Sequence, residues 1–100
     1  MPIVAVIGSM STGHDACAPV PAITGSSLMR VNGKPVVLVG DKFDTHGCPS
    51  HSPHNGIVTQ GSSLMRVEGK AIARVGDTIG GGGCPGSHKI ATGDALMNIE

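Results

Sequence analysis

Apolar residues along this chain come in short runs, each closed by glycine or a polar turn. They fall at residues 3–7, 28–31, 35–39, 64–67, 71–75 and 96–99. Runs of this length, rich in valine and isoleucine, predict strands rather than helices. Asn32-Gly33 stands between the second and third runs, and Glu68-Gly69 between the fourth and fifth. Asn-Gly flanked by apolar runs is a strong two-residue hairpin signal. Gly40-Asp41 and Gly76-Asp77 end the return strands. Each unit thus reads as a β-hairpin followed by a long segment without periodicity, at 9–24, 42–60 and 78–92. These segments read as loops, entered in the first case by a turn over residues 10–13, and loops of such length usually carry function.

The units are copies of one another. Residues 25–41 and 61–77 agree at 12 of 17 positions, and the seven residues Gly-Ser-Ser-Leu-Met-Arg-Val open both. A shorter third copy starts at Gly93 with Leu96, Met97 and Ile99 in matching places and ends at Glu100. Its missing return strand is supplied by residues 2–6, Pro-Ile-Val-Ala-Val, which resemble Pro35-Val36-Val37-Leu38-Val39. The intervals from Gly25 to Gly61, to Gly93, and round through the termini back to Gly25 are 36, 32 and 32 residues. Internal repetition of this kind predicts an all-β, pseudo-threefold ring of three hairpin units cut within one of them. The repeats run near 25–60 and 61–92, with 93–100 completed by 1–24. The whole chain, 1–100, is expected to be a single domain.

Composition fits a narrow ring. Glycine takes 16 positions, proline 7, and Phe43 is the one aromatic residue. Small side chains suit a tight axis, and the interruptions exclude long helices. Seven basic residues balance seven acidic ones, which argues against a nucleic-acid partner. No run approaches the length of a membrane helix, and no basic segment precedes residues 3–7 as in a signal peptide.

All five histidines and all three cysteines fall in the three long segments. His14 and Cys17 lie in the first. His46, Cys48, His51 and His54 lie in the second, and Cys84 and His88 in the third. Three cysteines cannot all pair within one chain, and with the histidines they read as metal ligands rather than a disulfide framework. Three segments leaving one end of a ring can bring their donors to its axis. A structural zinc ion needs four such donors, and eight candidates leave the choice open. Asp41 and Asp77 occupy equivalent places and read as turn caps. Arg30 and Arg66 are also equivalent and read as exposed strand residues or partner contacts.

The two copies of Asn/Glu-Gly-Lys-x-x-x-x-Val-Gly-Asp after a Gly-Ser-Ser strand resemble the PAAR-repeat family. So do Thr12-Gly13-His14 and the segment His46-x-Cys48-Pro49…Pro53-His54-x-Gly56. The tetrapeptide that names the family is degenerate here: Pro35-Val36-Val37-Leu38 in one copy and Ala71-Ile72-Ala73-Arg74 in the other. The resemblance implies a small pointed cone of β-hairpins whose ligand-bearing loops converge at the apex. Its zinc ion would be held by His14, His46, His54 and Cys84. Glycines 80–83 push Cys84 further from Asp77 than the family pattern has it, which leaves His88 or Cys48 as an alternative fourth ligand, with His51 close by.

The resemblance also implies a function. Family members cap the trimeric spike of type VI secretion systems or contractile phage tails, one copy per trimer of valine-glycine-repeat (VgrG) or phage spike protein. They sharpen it for puncture, with transient contact to the target membrane. The expected docking residues are Leu28, Met29 and Arg30, Leu64, Met65 and Arg66, and Leu96 and Met97. Assembly would be cytoplasmic, followed by outward delivery on the spike or incorporation in a virion. With no residues left over for an extension, any effector is expected to be a separate bound protein. The competing reading is a small zinc metalloenzyme built on the same cluster with an open coordination position.

Overall fold

The computed structural model describes residues 2–12, 19–48, 51–80 and 88–99, with the backbone alone for 46–48 and 51–54. The described residues form an all-β fold of five two-stranded antiparallel pairs. The strands are β1 (Ile3–Val4), β2 (Arg30–Val31), β3 (Lys34–Pro35), β4 (Lys42–Cys48) and β5 (His51–Ile57), then β6 (Arg66–Val67), β7 (Lys70–Ala71), β8 (Thr78–Ile79), β9 (His88–Lys89) and β10 (Asp94–Asn98). The pairs are β1–β10, β2–β3, β4–β5, β6–β7 and β8–β9.

Three of these pairs are the repeated hairpins. Arg30 faces Pro35 and Val31 faces Lys34 in the first; Arg66 faces Ala71 and Val67 faces Lys70 in the second. In the third, Asn98 faces Ile3 across β10–β1, and the Ile99 N–H donates to the Pro2 carbonyl at 2.9 Å. The two covalent hairpin tips are type I′ turns. Asn32 and Glu68 both have φ of 54°, and Gly33 and Gly69 follow at 80° and 79°. Asparagine tolerates this left-handed conformation far better than glutamate. We therefore expect Glu68→Asn to stabilise the fold by about 0.5–1 kcal/mol, read as a higher denaturant midpoint; no gain would mean that Glu68 is held by contacts beyond its own turn.

Beyond the hairpins each chain segment leaves its own partner and joins the next unit. Regular strand structure predicted over 35–39 and 71–75 therefore stops early, and single bridges take over. Leu38 bridges Ile72, Arg74 bridges Val4, and Val6 bridges Val36. At the level between them the backbone closes a ring. The Ala5 N–H donates to the Ala73 carbonyl (3.0 Å), Ala73 to Val37 (2.8 Å), and Val37 to Ala5 (2.9 Å). A second ring runs from Val39 to Ala71, Val75 to Ile3 and Ile7 to Pro35, at 2.8–3.0 Å. Three hydrogen bonds passing head to tail from unit to unit require a pseudo-threefold axis. The dimensions agree, because a body with threefold symmetry has two equal transverse extents, and this one measures 37 × 23 × 23 Å.

The small residues are where the axis needs them. Ala5, Val37 and Ala73 are fully buried in one cluster with Ala22, Phe43, Val58, Ile79 and Ile90. Val4, Val36 and Ile72 are fully buried in a second cluster, against which Met29, Met65 and Met97 pack. Each unit then turns at a glycine with φ of 95–98°: Gly8, Gly40 and Gly76. The residue after each turn caps it. Asp41 Oδ2 accepts from the Leu38 N–H and Asp77 Oδ2 from the Arg74 N–H, both at 2.7 Å; Ser9 Oγ accepts from the Val6 N–H at 2.9 Å. The two aspartates are the turn caps read from sequence, and serine does the same work in the third unit.

Candidate functional site

Past the turns, the segments read as loops are hairpin arms. The middle arm is β4–β5, two seven-residue strands. The third is β8–β9, whose pairs are Thr78 with Lys89 and Ile79 with His88. In the first, Met10 bridges Pro21, so residues 10 and 11 are extended and not the expected turn. The arms interlock as the hairpins do: Ala22 bridges Phe43, Val58 bridges Ile79, and Ile90 bridges Ser11. All six residues are buried. Ser11, Phe43 and Ile79 are equivalent positions, so the bulk of the lone aromatic offsets the small serine in one packed layer. The extra four residues of the 36-residue interval lie in the middle arm.

This layer is the last apolar one among the described residues of the arms. Beyond Phe43, Asp44 and Thr45 are exposed. There the arm is held by its own ladder, by an Asn55 Nδ2 hydrogen bond to the Phe43 carbonyl at 3.0 Å, and by the Asp44 N–H, which donates to the Pro21 carbonyl of the first arm at 2.8 Å. Within that ladder His46 is the direct cross-strand partner of His54, and Cys48 of His51. His88 on β9 is buried at 3% exposure, with its Nε2 sealed from solvent. Its ring lies against Gly56 on the middle arm. A Cβ at Gly56 would come within 3.3 Å of His88 Cε1 and Nε2 and 2.5 Å of Ile79 Cγ2. Glycine at 56 is what lets the third arm close on the middle one. The ligand candidates His14 and Cys84, and also Cys17, lie outside the described residues.

The opposite end carries the docking candidates. Leu28, Leu64 and Leu96 are 67%, 70% and 71% exposed, and besides Ile23 no other large hydrophobic side chain among the described residues is exposed. They are one repeat position seen three times. Each is presented by the same local cap: the N–H of Leu28 donates to Ser26 Oγ (3.1 Å), that of Leu64 to Ser62 Oγ (3.1 Å) and that of Leu96 to Asp94 Oδ1 (2.9 Å). The neighbouring methionines are less exposed. Met29, Met65 and Met97 are half-buried against the core. Arg30 and Arg66 are exposed, but each bends over its own hairpin tip, Nη1 donating to the carbonyl of Gly33 or Gly69 at 3.1 Å.

Sequence reasoning gave no role to Arg74, the retained last residue of the degenerate tetrapeptide. Its guanidinium grips Asp77 with two bonds, Nε to Oδ2 at 3.0 Å and Nη2 to Oδ1 at 2.9 Å. Equivalent positions hold Leu38 and Val6, so the fork reinforces one of the three turns only.

A pseudo-threefold cone of β-hairpins, with exposed leucines at one end and His- and Cys-bearing arms at the other, defines a class of small all-β repeat modules. The PAAR motif family matches residues 22–85, and the chain belongs to that family. Membership points to a structural spike-tip protein of a type VI secretion system or contractile phage rather than to an enzyme. No curated protein matches the chain. No helix among the described residues is long and apolar enough to cross a membrane.

Proposed function

We propose that this protein is the zinc-stabilised tip of a trimeric spike, which it caps at one copy per three chains and sharpens for membrane puncture. The observation that carries the reading is the leucine triad, Leu28, Leu64 and Leu96, similarly exposed on a pseudo-threefold body. One asymmetric chain can then offer three like contacts to three identical ones. The spike protein would be of the VgrG or phage type, and effectors would attach to the assembled tip. Assembly takes place in the cytoplasm, and the tip travels outward with the spike.

The zinc ligands in this reading are His14, His46, His54 and Cys84. The donor set fits the ion, since imidazole and thiolate are its preferred partners in closed structural sites. The ladder supports the choice of His46 and His54, because directly opposed residues are the closest cross-strand neighbours in a hairpin. Zinc would supply cross-linking to arms whose described residues show no apolar layer past Phe43.

The test is stoichiometry. Mixed with the purified trimeric spike protein of the same organism, the chain is expected to appear by native mass spectrometry as one copy per trimer. Three copies per trimer, or no complex, would overturn the capping reading.

A further inference from the structure

We infer that docking affinity resides in the three leucines, which enter three identical apolar pockets on the spike trimer, and that Arg30 and Arg66 contribute almost none of it. The inference rests on the spike-tip reading and goes further by naming the chemistry of the contact.

The argument starts from a mismatch of symmetry. A homotrimer presents one surface three times, whereas this chain presents three units that differ. A recognition element that works at all three places has to be common to the three units. Leucine is: positions 28, 64 and 96 share residue type, local cap and an exposure near 70%. The position two residues on is not, being Arg30, Arg66 and Asn98. A carboxylate placed on the trimer to meet the arginines would find a partner twice. The third copy would face Asn98 and lose hydration without gaining an ion pair, which offsets the gain elsewhere. The arginines are also engaged already, each on its own hairpin-tip carbonyl. An apolar pocket meets no such penalty at any of the three positions.

Charge argues against a second copy of the chain as the occupant. Two such ends brought together would set Arg30 and Arg66 against their own kind. The three leucines together expose on the order of 400 Å², against the roughly 800 Å² per partner of a standard stable interface. A rigid end-on cap matched to a trimer fits a small patch better, because three fixed anchors bind as one multivalent unit.

The test is titration of the trimeric spike protein with leucine and arginine variants, read by surface plasmon resonance at low and high salt. Single Leu28→Ser, Leu64→Ser and Leu96→Ser changes are each expected to weaken binding about tenfold, and by similar factors. The triple variant should abolish binding while keeping the wild-type thermal melt, since these side chains are exposed. Arg30→Ala with Arg66→Ala should change affinity less than about threefold, and salt should have little effect. Strong salt dependence, or an arginine effect equal to that of a leucine, would overturn the inference while leaving capping intact. Failure of the unaltered chain to bind the trimer would instead sink the spike-tip reading itself. Sedimentation of the chain alone supplies one more outcome: a dimer lost in the triple leucine variant would assign the patch to self-association and overturn the proposal.

Discussion

Gly93→Ala is expected to lower stability by about 2–4 kcal/mol, whereas Gly8→Ala costs about 1–2 kcal/mol. The two glycines are needed for different reasons. Gly8 has φ of 95° and open space around its missing side chain, so alanine there meets backbone strain only. Gly93 lies against the return strand of its own hairpin. A Cβ at that position would be 2.5 Å from the Val4 carbonyl oxygen, 3.0 Å from Ile3 Cγ2 and 3.1 Å from Val75 Cγ2. The obstacle is backbone, which cannot swing away as a side chain can. Val4 is bridged to Arg74 and adjoins Ala5 in the axial ring, so moving it strains two unit boundaries at once. Gly61 and Gly25 repeat the arrangement, with nearest atoms at 2.9 and 2.8 Å. Denaturant unfolding at constant slope separates the cases. A Gly93→Ala midpoint no lower than that of Gly8→Ala would refute the close-approach argument.

The same glycines were visible in the sequence as the first residue of each repeat, but with no reason attached. Their reason is three-dimensional: each unit presses its entry backbone onto a strand that continues into its neighbour. The hairpins themselves were legible because Asn32-Gly33 and its copy carry local turn chemistry. Ring closure was legible from the repeat intervals, which the β10–β1 pairing matches. The arms were not legible. Strands β4 and β5 read Lys-Phe-Asp-Thr-His-Gly-Cys and His-Ser-Pro-His-Asn-Gly-Ile, with no alternation of apolar and polar residues. Among the described residues the middle arm sends one apolar side chain from each side into the shared layer, Phe43 and Val58. A period needs several turns of the pattern to be seen, and here there is only one. The cap at Ser9 escaped for a similar reason, since a hydroxyl replaces the carboxylate that made Asp41 and Asp77 recognisable.

Removing zinc is expected to cost the protein several kcal/mol and lower its melting temperature by more than about 15 °C. The expectation follows from where apolar packing ends. Among the described residues the axial cluster reaches the arms only as far as the layer of Phe43, Ile79 and Ile90, while the middle arm runs on to Cys48 and returns from His51. An isolated two-stranded hairpin is marginal in water, so something beyond the ladder has to hold this arm. A four-ligand ion joining all three arms would close large loops and add its own binding energy. The purified protein should therefore carry one zinc per chain by elemental analysis, and a strong chelator should lower the melt in step with metal loss. His14→Ala, His46→Ala, His54→Ala and Cys84→Ala should each reduce the zinc content. Retained zinc in Cys84→Ala, together with loss in His88→Ala or Cys48→Ala, would move the fourth ligand to that residue. His88→Ala needs the chelated protein as its control. Its ring packs on Gly56, so a stability loss that persists without metal reports packing, and one that vanishes reports ligation. Wild-type protein that melts identically with and without chelator would leave the arms to their ladders and refute the zinc reading.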